Sequence, residues 1–105
     1  MADPVYLHVE LKIAPAELQR FLATMNEVAP LIQQSGWDFV GAWQVRVGRA
    51  YTIRVIWQLP DANAYFAKRT SFVEHSSFKE YKAVIDAAVI EENVTMMAKL
   101  PYGLW

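Results

Sequence analysis

The chain has 105 residues, 54% hydrophobic and 20% charged, with no cysteine; that is enough for one packed domain, 1–105, and too little for two. Without cysteine there is no disulfide scaffold, thiolate metal site or cysteine nucleophile, and ten Lys and Arg against eleven Asp and Glu leave no positive field for nucleic acid or a membrane surface. Four Trp, five Tyr and five Phe exceed what so small a core hides, so a partner chain or a ligand is expected to cover some of them.

Met1-Ala2-Asp3-Pro4 has no basic leader pattern, and no window approaches the roughly 18 apolar residues of a membrane span, so the chain reads as soluble and cytoplasmic. From Val5 to Ile13 apolar and polar residues alternate strictly, which predicts a strand. Pro15 opens a helix in which Leu18, Phe21, Leu22, Met25, Val28, Ala29 and Ile32 recur at helical steps. Ser35-Gly36 stops it, and Pro30 lies inside it, where a kink is expected. Trp37 to Val47 and Tyr51 to Leu59 read as an antiparallel hairpin joined by Gly48-Arg49-Ala50. Asp61 caps a helix from about Ala62 to Thr70, and Ser76-Ser77 a further one with Phe78, Tyr81, Ile85 and Val89 on one stripe. Ile90 to Leu100 is the last strand, ended by Pro101.

The order β-α-β-β-α-β, with the second helix split, predicts an α+β ferredoxin-like domain: a four-stranded antiparallel sheet with helices on one face. The other face carries Tyr6, His8, Arg54 and Ile56 on the two central strands. A second subunit's sheet is the expected cover, giving a homodimer. The apolar tail Leu100-Pro101-Tyr102-Gly103-Leu104-Trp105 is expected to fold over the cleft mouth or onto that partner.

Glu27-Val28-Ala29-Pro30-Leu31-Ile32, Gly36, Val40-Gly41-Ala42-Trp43 running into Val47-Gly48, and Ile56-Trp57 ahead of Pro60-Asp61 resemble the NIPSNAP family of the dimeric α+β barrel superfamily. The resemblance spans about Val5 to Tyr102 and implies a dimer whose sheets combine into a barrel. It does not imply one reaction, because relatives include cofactor-free oxygenases, haem-degrading enzymes, chlorite dismutases, polyketide cyclases and isomerases. Many members carry Glu, Arg and Tyr at alternate positions of the first strand; the matching positions here are Leu7, Val9 and Leu11. His75 resembles the helix-start histidine of the cyclases and isomerases, without their His-Pro-x-His pattern.

His8 and Glu10 share a strand face, and Arg54 has the parity to join them. A carboxylate fixes the tautomer of an imidazole base, and an Arg can hold an anion or enolate, so these three and His75 are the candidate catalytic residues. The alternative is a polar ladder between two sheets. Trp43, Tyr51, Trp57, Phe66 and Tyr81 are candidates to wall a cleft for an aromatic ligand between sheet and helices, or are ordinary core. Glu17 and Glu91-Glu92 lack histidines at ligand spacing, and the four glycines are scattered, so no metal, nucleotide or other cofactor is expected. The leading reading is a homodimer that binds a hydrophobic, aromatic or oxygenated metabolite and acts on it by proton transfer, as an isomerase, cyclase or lyase. The alternatives are a cofactor-free monooxygenase or haem-handling protein, and a binding module without turnover.

Overall fold

Alternation along Val5–Ile13 builds β1, which pairs antiparallel with β3 (Thr52–Leu59) on one side and β4 (Val89–Ala98) on the other. β2 (Asp38–Gln44) pairs antiparallel with β3, so the sheet order is β2-β3-β1-β4. This is the expected ferredoxin-like arrangement. The computed structural model describes residues 3–67 and 78–102.

A 3-10 turn at Pro15–Glu17 leads into α1 (Leu18–Gln34), which runs without interruption across Pro30. The helix stops where Gly36 takes φ 114°, a value open to glycine at little cost. After β3, the Asp61 carboxylate accepts the Ala64 N–H at 3.0 Å, the expected N-cap, and residues 63–67 are helical. The rest of the helix expected to Thr70 and the Ser76-Ser77 cap lie outside the described residues. α2 (Phe78–Ala88) passes straight into β4 at Val89.

Register assigns the faces. Leu7 lies opposite Trp57, Val9 opposite Val55 and Leu11 opposite Ile53, all on the side facing the helices. There Leu7, Leu11, Ile13, Ile53, Val55, Trp57 and Leu59 are buried with Phe21, Val28 and Ala88. Tyr6, His8 and Glu10 of β1 lie opposite Gln58, Ile56 and Arg54 of β3 and share the other face.

Three details differ from the expectations. The β2–β3 connection is longer than the Gly48-Arg49-Ala50 turn: β2 ends at Gln44 rather than Val47, and β3 starts at Thr52. Tyr51 takes φ 54° and Gly48 φ 130°, outside the extended range a ladder needs, and Val47 is 95% exposed. β4 covers Val89–Ala98 rather than Ile90 to Leu100.

The third difference is in β2. Phe39 pairs with Trp57 and Gly41 with Ile56, so Val40 is an extra residue in the strand, a bulge. One inserted residue reverses the side-chain alternation, and positions 39 and 43 end on opposite faces instead of the same one. Trp43 lies opposite Arg54, away from the helices. It therefore does not wall a cleft between sheet and helices.

Candidate functional site

A cavity of about 570 Å³ lies between α1 and the β2–β3 side of the sheet, within the range of small-molecule sites. Ile53, Val55 and Trp57 of β3 and Phe39 and Ala42 of β2 form its floor. Phe21, Met25 and Ala29 of α1 make its inner wall, and Leu22, Asn26, Pro30, Gln33 and Gln34 its outer rim. The i, i+4, i+7, i+11 spacing of 22, 26, 29 and 33 puts them on one helical face. None of the lining residues is ionisable.

An aromatic cluster closes the end nearest Trp57. Phe39 packs on Trp57 with ring centroids 5.1 Å apart, and Trp37 meets Trp57 edge-on at 6.2 Å. Trp37 also stacks on Tyr65 at 5.8 Å, and its indole N–H donates to the Ala64 carbonyl at 3.2 Å. The Asp61 cap thus holds the helical turn that carries Tyr65 against the sheet.

Of the five aromatics expected to wall a cleft, only Trp57 lines this cavity. Phe66 contacts Tyr65 at 5.1 Å but is 67% exposed. Tyr51 sits in the turn, exposed, with its carbonyl accepting the Ile13 N–H at 2.8 Å. Tyr81 is half-buried on α2. Trp43 lies on the opposite face, its ring so close over Gly41 that a Cβ there would stand 2.6 Å from a ring carbon. The Gly-Ala-Trp run is therefore a packing device: glycine makes room for the indole two residues along the same face.

The expected acid–base residues are brought together, on the face opposite the cavity. The Arg54 guanidinium stands 3.8 Å from the Glu10 carboxylate, and His8 is partly buried two residues away. This is ion-pair distance and longer than a hydrogen bond. His75 lies outside the described residues, as does the tail beyond Tyr102. The Arg49 guanidinium donates to Glu91 at 2.8 Å, and this bond and charge hold the Glu91 carboxyl below its ordinary value. Among the described residues, no group of three or more His, Asp or Glu could hold a metal ion, and no helix is long and apolar enough to cross a membrane.

Sequence reasoning missed the rim. Asn26, Gln33 and Gln34 read as the solvent side of an amphipathic helix and Leu22 as part of its apolar stripe, yet two signals were present: that stripe widens to the exposed Leu22, and a proline stands mid-helix.

The NIPSNAP family profile matches residues 6–102. Among solved structures, a NIPSNAP family protein from Agrobacterium tumefaciens is similar with a TM-score of 0.85 at 12% identity, over 97% of this chain and 90% of that one. A NIPSNAP-like domain protein from Burkholderia xenovorans gives 0.81 at 12% identity, over 94% of this chain and 87% of that one. A candidate antibiotic biosynthesis monooxygenase from Bordetella bronchiseptica gives 0.76 at 13% identity, over 94% and 99%. No curated protein matches the chain. With a family profile covering nearly its whole length and relatives of the same fold, the chain belongs to the NIPSNAP family.

Proposed function

We propose that the protein binds a small, flat, apolar metabolite in the cavity between α1 and the β2–β3 side of the sheet, as a homodimer whose second copy covers the open sheet face. The observation that carries the ligand reading is the cavity itself: about 570 Å³, floored by Phe39 and Trp57, with no ionisable group in its lining. The dimer reading is supported by β4, an edge strand exposed from Ile90 onward, by Met97 uncovered opposite Tyr6 on the open face, and by half-exposed Trp43 on that same face.

Catalysis by proton transfer from His8, Glu10 and Arg54 belongs to the open face in this reading, because the sheet stands between them and the cavity. On that face the same residues can also serve as a polar ladder between two subunits. Oxygenation of the bound ring is the second reading, favoured by the likeness to the candidate monooxygenase of Bordetella bronchiseptica. Haem fits poorly: the lining residues offer iron no His, Cys or Tyr, and the one thioether, Met25, serves haem alongside a histidine.

The test is titration with the neutral fluorescent probe N-phenyl-1-naphthylamine. Saturable binding is expected to the native protein and to Trp43→Ala, and its loss in Ala42→Trp, which fills the cavity from an exposed position. No saturable binding to the native protein, or equal binding to Ala42→Trp, overturns the reading. Oxygen uptake with hydroquinone-type compounds decides the second.

A further inference from the structure

The cavity is apolar on three sides and polar on one, and the polar side is unusual. Asn26 and Pro30 stand one helical turn apart on its rim, with Gln33 and Gln34 beyond them. An α-helix ordinarily closes each carbonyl with the N–H four residues on. Proline has no N–H, so inside α1 it cannot give the Asn26 carbonyl that bond. A strong acceptor is thus left without its usual helical donor at a residue that borders the cavity. The carboxamides of Asn26, Gln33 and Gln34 make no hydrogen bond to other described residues, so they too are available.

Charge narrows the choice further. With no Lys, Arg or His in the lining, a carboxylate or phosphate would give up part of its hydration and gain no counter-ion. With no Asp or Glu, an ammonium would fare no better. Carboxamides bring donors and acceptors in balance, and the released carbonyl adds one acceptor more. The surplus is met by a ligand that donates.

We infer that the cavity selects an uncharged, ring-bearing molecule carrying a hydroxyl or N–H donor, and that Pro30 creates part of the recognition site by freeing the Asn26 carbonyl; this rests on the cavity being a ligand site. Pro30 is a positioning residue: it acts through the carbonyl of Asn26.

Three probes of one size separate the parts: naphthalene, 2-naphthol and 2-naphthoate, each titrated directly. In the native protein 2-naphthol is expected to bind about tenfold more tightly than naphthalene, the scale of one hydrogen bond, and 2-naphthoate more weakly than 2-naphthol. Pro30→Ala supplies the missing N–H. It should cut the advantage of 2-naphthol over naphthalene, read as the ratio of the two affinities in the variant, to about threefold or less, while amide exchange shows the N–H gained at position 30 to be protected. Equal binding of naphthalene and 2-naphthol to the native protein overturns the inference. So does an undiminished preference in Pro30→Ala with the new N–H protected. If naphthalene itself does not bind, or still binds to Ala42→Trp, the cavity reading fails instead, and the two failures are told apart.

Discussion

On β1 the odd residues Leu7 and Leu11 are 2% and 7% exposed beneath the helices, while their even neighbours His8 and Glu10 stand on the opposite face beside Arg54 and Trp43. The two faces belong to the same strands and differ by one residue of phase, yet one holds an apolar cavity without an ionisable group and the other an ion pair. The sheet separates the cavity from the charge. Residues that look like partners in sequence, His8 and the aromatic side chains of the cavity floor, lie across a backbone from one another.

Trp57→Ala against Trp43→Ala is the most forceful way to break this contrast. Trp57 is 4% exposed and meets two other rings, so its loss is expected to cost about 3–5 kcal/mol in urea unfolding. Trp43 is 52% exposed, and its loss should cost about 1–2 kcal/mol. Equal losses would mean that the open face is as much a core as the helix face.

Gly41→Ala sharpens the contrast on the open face. The new methyl must push the Trp43 ring away, for about 1 kcal/mol and a red shift of tryptophan fluorescence. In a Trp43→Ala background the cost should vanish. A cost that persists there would place the constraint in the backbone of the bulge rather than in the indole.

The smallest effect concerns pH. Arg49 holds the Glu91 carboxyl low, so the pair's contribution is complete above the ordinary glutamate range and is lost as pH falls through the lowered value. Urea midpoints of the native protein and Glu91→Gln should therefore converge in acid and separate toward neutrality, less so in high salt because the pair is exposed. A gap that does not grow from acid to neutral pH would remove the pair from the stability of the open side. The cavity side, lined by no ionisable group, is expected to add no pH dependence of its own.

Much of the fold was legible because its signals are local. The alternation of Val5–Ile13, the Asp61 cap three residues before Ala64 and the stop at Gly36 each lie within a few residues of what they specify. Parity likewise pairs Glu10 with Arg54, since antiparallel register keeps opposed residues on one face. The cavity was not legible, because its rim residues Asn26 and Gln33 are polar positions of an amphipathic helix until a sheet edge faces them.

Residue pattern alone specified the order and type of the described elements, the Asp61 cap, the Gly36 stop and the two-sided character of β1, because propensity, periodicity and capping act over one or two turns of chain. It took strand pairing in the folded chain to squeeze Val40 out of the ladder, sending Phe39 to the cavity and Trp43 to the far side. That choice comes from pairing with β3, whose partner residues lie 18 positions away for Phe39 and 11 for Trp43. Such long-range register leaves no local trace in residue type, and here it decides which aromatic side chains a ligand would meet.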